Sequence, residues 1–540
     1  MSTVHALFVR TAALRPQADF LFSDAVTADA YGIAPGPLAW SAAAAEVAAL
    51  RQAYADAGYG HGHRVGLLLE NRPAFLLHWF ALNALGVSVV PIHADLRAAE
   101  LAYLSAHSEI VLAVTLPARE ADLQHAAEAA GCTLRTWVPD RADVPAALRP
   151  APHGDAAIGA DSECALLYTS GTTGRPKGCI LSNAYYLNAG RWYVELGHLC
   201  KVRPDGERVI TPLPLSHMNA MAFSTMVVLT AGGCLVQLDR FHPNSWWQSV
   251  RDSGATIVHY LGVMPAMLLA APPSAHDREH AVRIGFGAGV DRKLHAVFEE
   301  RFGFRLLEAW AMTETGSAAC VMAHREPRHV GTNCFGRADP AMQWRLVDDA
   351  GADVAAGSAG ELLVRSAGPE ARRGFFSGYL KDESATEEAW AGDWFHTGDV
   401  VRADADGNLY FVDRKKNVIR RSGENISAVE VESVLNQHPM VQACAVAATP
   451  DAVRGDEVLA CIVLRQPVAP AEREALAQGI VRHALANLAY YKAPGYIAFV
   501  ETLPLTPSQK IQRGELKAMA LQLPGRGHCI DTRALKKRTS

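Results

Sequence analysis

The sequence predicts an α/β protein in two parts. A large N-terminal domain holds two α/β subdomains and a small β-barrel subdomain, and a smaller α+β C-terminal domain follows. Three observations predict this. Helical and strand patterns alternate through residues 1–330, the signature of layered units around a mostly parallel sheet. Over residues 331–413 the chain turns to short strands and hairpins, which reads as a small barrel or distorted sheet. After Asp413, helices and strands mix again over residues 414–530, a stretch of ordinary domain size. The total of 540 residues is also too long for one ordinary core. Residues 531–540 form a tail whose end, LKKRTS, is expected to be disordered.

In chain order, Ser41 to Ala57 is Ala-rich and helical, Arg64 to Glu70 an apolar strand and Arg72 to Leu85 a helix. Val87 to Pro91 is a strand and Ala98 to Ala106 a helix, and Pro139 to Asp161, rich in Pro, Ala and Asp, is a linker. Strands are then expected at Arg208 to Pro212, Gly233 to Leu238, Ile257 to Leu261, Val282 to Phe286 and Arg305 to Glu308, with helices between. The β-rich part offers Gln343 to Val347, Glu361 to Arg365, and Asp399 to Asp413 turning at Asp406-Gly407-Asn408. In the last part Val429 to Gln437 and Pro470 to Asn487 are helical, and Val441 to Ala447, Val458 to Leu464 and Tyr496 to Val500 are strands.

Composition narrows the function classes. Hydrophobic residues make up 49% and charged residues 20%, an ordinary globular balance, and a net charge of −5 argues against a dedicated nucleic-acid surface. Ten cysteines stand singly with no C-x-x-C pair, which suits reduced thiols in a cytoplasmic protein. The greasiest stretch, Ala74 to Ile92, carries His78, Asn83, Gly86 and Pro91, and reads as a buried helix then a buried strand, with no membrane span. The N-terminus has no signal-peptide pattern.

The densest chemistry lies between Tyr168 and Gly178, YTSGTTGRPKG. Eleven residues carry three glycines, four Ser/Thr hydroxyls, one Arg and one Lys. Glycines let backbone N–H groups face a ligand, hydroxyls donate, and Arg175 and Lys177 neutralise negative charge, the chemistry of a loop gripping a polyphosphate. Ser182 looks like the N-cap of a following helix. The common nucleotide P-loop is excluded by spacing: Lys177 follows Pro176 and precedes Gly178, so no hydroxyl stands in the magnesium position.

Other segments add to this. Glu308 to Gly316, EAWAMTETG, follows a strand and offers Thr313 for phosphate, the Glu314 carboxylate for Mg²⁺, and the Trp310 face for an adenine. Gly285 to Gly289, GFGAG, ends a strand. His396-Thr397-Gly398-Asp399 precedes a hairpin that ends at Arg414. Asp413 to Ser427, DRKKNVIRRSGENIS, is densely basic, and Lys510 lies in PLTPSQKI near the C-terminus.

The loop string resembles the phosphate loop of the adenylate-forming superfamily, which includes acyl-CoA synthetases, peptide-synthetase adenylation domains and firefly luciferases. Thr169, Ser170, Gly171, Thr172, Thr173 and Gly174 match its ATP grip, with Lys177 among the catalytic residues. EAWAMTETG resembles the family's fifth core motif, usually Tyr-Gly-x-Thr-Glu. This chain departs from it at Trp310 and Ala311, and the added methyl narrows whatever the Gly usually borders. The resemblance implies that Gly287, Ala288, Gly289, Glu308, Ala309 and Trp310 surround the adenine. It further implies that Thr313 and Glu314 are catalytic, Glu314 as the metal ligand, that Asp399 takes the ribose hydroxyls and that Arg414 is a second ribose or phosphate contact. Lys416 matches the hinge about which a mobile C-terminal domain turns, and Lys510 the lysine that this domain carries into the ATP site. Arg421, Ser422, Gly423 and Glu424, within the Arg420 to Glu424 turn, match the coenzyme A face. GEN after two basic residues and a Ser most resembles the carnitine and crotonobetaine type of CoA ligase. His217, Met221 and Gly262 border the acyl pocket by the same resemblance, with His259 to Gly262 and Gly287 as walls, and Trp192 and Tyr193 as a cation–π cap.

The implied activity is an acyl-CoA ligase using Mg²⁺, ATP, CoA and a small carboxylic acid, with room for a homodimer. The rivals are an adenylate-former that loads a carrier protein or an amine, a luciferase-like oxygenase, and a nucleotide sensor without catalysis. Lys177, Glu314, Asp399 and Lys510 together argue against the last.

Overall fold

The computed structural model describes residues 2–139, 141, 143–169, 175–203, 206–348, 350–414, 418–422, 424–504, 511 and 513–537. It divides into two compact units that are discontinuous in sequence. The first comprises Met1–Ala94, Ser105–Leu167 and Gly178–Asp413, and the second Asp95–Leu104, Tyr168–Lys177 and Arg414–Ser540.

Alternating patterns do become layered α/β structure. An eight-stranded sheet runs Val321–Met322, Arg305–Trp310, Ile284–Ala288, Ile257–Leu261, Arg208–Thr211, Cys234–Gln237, Asp19–Ser23 and Gly36–Ala39. It is parallel inside and antiparallel at both edges. A seven-stranded sheet runs Gly378–Tyr379, Lys177–Ser182, Glu163–Thr169, Ser88–Pro91, Arg64–Leu68, Leu112–Thr115 and Arg135–Trp137. The β-rich part is a five-stranded sheet ordered Cys334–Arg337, Asn408–Arg414, Phe395–Ala403, Ala359–Ser366 and Met342–Val347.

Helices arise where local signals agree. Ser182 caps Asn183–Glu195, its hydroxyl accepting from Tyr185 N at 3.3 Å, as the sequence predicts. Pro73–Ala84 starts on its proline and is buried on nearly every side, which explains the greasy stretch without a bilayer. Among the described residues no helix is long and apolar enough to cross a membrane. The core of the first unit centres on Phe8, Phe20, Trp40 and Phe80, with Phe20 and Trp40 rings 4.4 Å apart.

In the second unit the long hairpin Val441–Asp451 and Gly455–Leu464 anchors a six-stranded sheet, backed by Ala428–Leu435, Arg473–Asn487 and Arg513–Gln522. Asp95–Leu104 joins this unit through specific bonds. Lys492 Nζ, buried, meets Glu100 Oε1 at 2.5 Å and Glu430 Oε1 at 2.9 Å, and Tyr103 donates to the Pro176 carbonyl at 2.9 Å. The expectation of a disordered end needs correction up to residue 537. Ile530–Asp531 adds an edge strand, Thr532 N donates to Gly495 O, and Lys536 is buried against Glu457. A basic run reads as solvated from sequence, but here one lysine finds a buried carboxylate.

Candidate active site

Several of the predicted site residues of the first unit lie at the carboxyl ends of its parallel strands, where open α/β sheets bind ligands. Strand Ile284–Ala288 delivers Gly287, Ala288 and then Gly289. The glycines are steric necessities. A Cβ on Gly287 would lie 2.3 Å from Tyr260 O, and one on Gly262 would lie 1.7 Å from Gly289 O. Gly262 N donates to Ala288 O at 2.9 Å, so two strand exits press backbone against backbone.

The neighbouring strand runs on to Trp310, two residues beyond the expected Glu308. Glu308 is buried, and its carboxylate accepts from Gly289 N at 2.9 Å, Val290 N at 3.0 Å and the Tyr260 hydroxyl at 3.3 Å. Burial pushes its pKa up. This corrects the expectation of a nucleotide contact: the carboxylate is committed to protein donors and braces the GFGAG loop. Ala309, between them on the opposite face, is half-buried.

Trp310 is 6% exposed, lies against Phe335 with ring centroids 6.1 Å apart, and donates its indole N–H to Asp399 Oδ2 at 2.8 Å. The sequence reading assigns its flat face to an adenine. In the structure its evident work is to hold a carboxylate 89 residues away in the chain. Asp399 is 1% exposed and its backbone N–H donates to Thr397 Oγ1, which itself donates to Leu362 O at 2.7 Å. Gly398 sits at φ +67°, a conformation that favours glycine and explains the HTGD spelling.

No helix follows the Thr-Glu pair. Residues 311–320 form turns. Gly316 N donates to Met312 O, Met312 N donates to Thr315 Oγ1, and Tyr185 donates to Thr313 O at 2.9 Å. Glu314 is buried, and Tyr379 donates its hydroxyl to Glu314 Oε1 at 2.9 Å. Burial, then the Glu314 charge, pushes the Tyr379 pKa up, so the phenol stays a donor. Sequence reasoning missed Tyr379 and Tyr185, because neither stands in a recognisable string.

Of the acyl-side residues, His217 is half-buried with its ring 5.9 Å from that of His93. Met221 lies in the π-helical turn Asn219–Ser224, fully buried, with the Tyr186 hydroxyl 3.5 Å from its sulfur. His259 is fully buried between Tyr193 OH at 3.1 Å and Ser224 Oγ at 2.7 Å, and burial pulls its pKa down to about 3. Tyr193 is therefore corrected. Its ring stacks on His259 and its hydroxyl is spent, so it cannot cap a cationic substrate. Trp192 is half-buried beside Phe223.

In the second unit, Thr169 ends one strand and Lys177 opens the next. Ser170, Gly171, Thr172, Thr173 and Gly174 lie outside the described residues, as do Lys416, Gly423 and Lys510. Arg175 lies over the Tyr103 ring, 5.3 Å from its centroid. Arg414 ends the strand Asn408–Arg414. Arg421 is corrected as a coenzyme contact. It is 2% exposed, and its single Nε–H is shared between the two carboxylate oxygens of the buried Glu457 at 3.0 and 2.8 Å. Strand alternation is the reason: Arg421 faces the core while Arg420, exposed, faces out. Ser422, at φ +50°, and Glu424 flank the turn.

Comparison with known proteins matches residues 26–380 to the AMP-binding enzyme family and residues 430–510 to the AMP-binding enzyme C-terminal domain. The crotonobetaine/carnitine–CoA ligases of Shigella sonnei (strain Ss046) and Escherichia coli O9:H4 (strain HS) are each 30% identical over 478 residues, 85% of this chain and 89% of theirs. Among solved structures, o-succinylbenzoate CoA synthetase from Bacillus subtilis bound to a product analogue superposes with a TM-score of 0.79. It is 23% identical and covers 95% of this chain and 98% of its own. The amide bond synthetase McbA from Marinactinospora thermotolerans gives 0.78 at 24% identity, covering 96% and 99%. Both share the fold.

Proposed function

The chain belongs to the AMP-binding enzyme family, and from that premise we propose that it is an ATP-dependent acid–CoA ligase. A carboxylate oxygen attacks the α-phosphorus of ATP, pyrophosphate leaves, and an acyl-AMP forms. The CoA thiolate then attacks the acyl carbon of this mixed anhydride and AMP departs. The observation that carries the reading is the bond from Trp310 to Asp399, which joins the segment assigned to adenine to the carboxylate assigned to ribose.

Each group has a task its surroundings suit. Asp399 accepts from the ribose hydroxyls, and Trp310 fixes its direction. The loop at Gly287 to Gly289, braced by Glu308, brings bare backbone against the base. Glu314 and Thr313 offer oxygen donors of the kind Mg²⁺ prefers, and Tyr379 orients the carboxylate. Bound there, the ion would neutralise phosphate charge as it shifts between oxygens. Lys177 and the phosphate-loop hydroxyls take the polyphosphate, and Lys510 supplies an ammonium to the first half-reaction. Arg420 replaces Arg421 as the outward base of the coenzyme face. A cytoplasmic location suits ATP and CoA as substrates.

The test is pyrophosphate release with Mg·ATP over short-chain, medium-chain, aryl and betaine-type acids, followed by chromatography of acyl-CoA for each active acid. At least one acid should release pyrophosphate and yield its CoA thioester stoichiometrically. Pyrophosphate release with acyl transfer only to a carrier thiol or an amine would move the protein to the rival class. No release with any acid would refute the ligase reading.

A further inference from the structure

The first unit contains a cavity of about 600 Å³, lined by His61, Arg64, Glu109, Arg149, His153 and Glu163 among others, none of which has a role above. It lies at the amino ends of three neighbouring parallel strands, Arg64–Leu68, Ser88–Pro91 and Glu163–Thr169. Thr169, which opens the phosphate-loop string, is at the other end of the last strand, roughly 20 Å along it at about 3.3 Å per residue. Its size falls within the range of small-molecule sites.

Its walls are built. The linker that sequence reading left without a role is pinned over the strand ends: Ala147 N donates to Ala57 O at 2.7 Å and His153 N to His61 O at 3.0 Å. The Tyr59 hydroxyl donates to Pro145 O. His61 Nδ1 lies 3.1 Å from Ala156 O, and the His61 and His153 rings meet edge-on with centroids 4.8 Å apart. Two glycines make room for those rings. A Cβ on Gly62 would stand 2.6 Å from His153, and one on Gly86 would stand 2.8 Å from His61. Ser88 Oγ, in the wall, is buried without a protein partner.

The charges decide what fits. Arg64 is bidentate on Glu163 at 2.7 and 2.8 Å, and Glu109 lies between Arg64 at 3.6 Å and Lys381 at 3.0 Å. The Lys381 hydrogen bond holds the Glu109 carboxyl below its ordinary pKa, and both carboxylates are matched by cations. Arg149 makes no side-chain hydrogen bond or ion pair among the described residues. The exposed Arg149 guanidinium, with Pro150 and Pro152 beside it and the His153 ring in the same wall, favours an anionic ligand.

We propose that this cavity is a second ligand site, independent of the ATP and acyl sites, for a small metabolite with an anionic head, phosphate or carboxylate, seated on Arg149 beside the touching rings of His61 and His153. The test is carbethoxylation of these two histidines by diethyl pyrocarbonate, read by peptide mass spectrometry on the full chain, with inorganic phosphate or succinate added. The more protective anion identifies the head group. At tens of millimolar, one of them should slow modification of both histidines about tenfold or more. Arg149→Gln, a change at an exposed position, should abolish the protection while leaving adenylation unchanged. If neither anion protects, or protection is as strong in Arg149→Gln, the proposal is overturned.

Discussion

Asp399 offers the sharpest division between holding a ligand and holding the protein. It is 1% exposed, and one carboxylate oxygen takes the Trp310 indole N–H at 2.8 Å. Asp399→Asn retains the size and a carbonyl oxygen for that N–H but removes the charge. Hydrogen bonds to a charged group contribute about 1.5–3 kcal/mol, so losing their ionic character toward the ribose should raise the KM for ATP roughly ten- to a hundredfold. Stability should barely change, and the KM for CoA should stay near that of the parent. Asp399→Ala should weaken ATP binding at least as much and also orphan a buried indole donor, which costs about 1–3 kcal/mol of stability. Trp310→Phe keeps a ring against Phe335 and drops the donor. It should cost only a few-fold in ATP affinity, because the carboxylate remains charged but loses its aim. The measurements are ATP–pyrophosphate exchange kinetics and urea unfolding of the four proteins side by side. Parent-like ATP affinity in Asp399→Asn, combined with lost stability in Asp399→Ala, would refute the ribose role and leave Asp399 as a tether for Trp310.

Three further outcomes are expected. Glu314→Gln keeps the Tyr379 hydrogen bond but loses the charge a hard cation prefers, so the Mg²⁺ concentration for half-maximal rate should rise several-fold; an unchanged requirement would remove Glu314 as a ligand. Lys510→Ala should slow adenylation by ~10²–10³ while synthetic acyl-adenylate is still converted to acyl-CoA at near the parent rate, and equal damage to both half-reactions would defeat the assignment. Burial, then the nearby Arg421 charge, pulls Lys536 from 10.5 down to about 7. Between those values the unfolded chain binds a proton that the folded chain does not, so docking of this segment should strengthen as pH rises from 7 to 10. The gain is roughly 3–4 kcal/mol at most, and Lys536→Met should lack it. Hydrogen exchange at Thr532, whose N–H bonds Gly495 O, reads this directly, and a parent that weakens with pH would contradict it.

What could be read from the sequence follows from how local each signal is. Alternating texture gave the α/β layers, and Ile257–Leu261 falls where the strand pattern puts it. The Ser182 cap needed only its own residue and the helix it opens. Other features depend on residues far apart in the chain. Arg421 reads as one more base in a basic run until strand alternation turns it inward to Glu457, 36 positions on. Tyr193 reads as a surface aromatic until His259 and Ser224 arrive from other elements to bury it. Thr313 reads as a phosphate ligand from its string alone, and the Tyr185 and Thr315 bonds that shape its turn come from outside that reading.

Glu308 and Trp310 show why the most informative of these errors concerns a single strand. They are two positions apart, so both project from the same face of Arg305–Trp310. The first reaches sideways to two backbone N–H groups of the GFGAG exit, and the second reaches sideways to Asp399. Sequence motifs assign all of these residues to the nucleotide, as though each touched it. In the structure two of these side chains fix neighbouring segments, and the proposed nucleotide contacts then fall to the glycine backbone and the Asp399 carboxylate. A strand is a stiff mount, and holding both segments from it keeps the base-binding and ribose-binding groups in fixed register before ATP arrives. Glu308→Gln, which turns one acceptor oxygen into an amide donor facing a backbone N–H, should therefore raise the KM for ATP through the loop at Gly289 and Val290, and a parent-like KM for ATP would refute the bracing role.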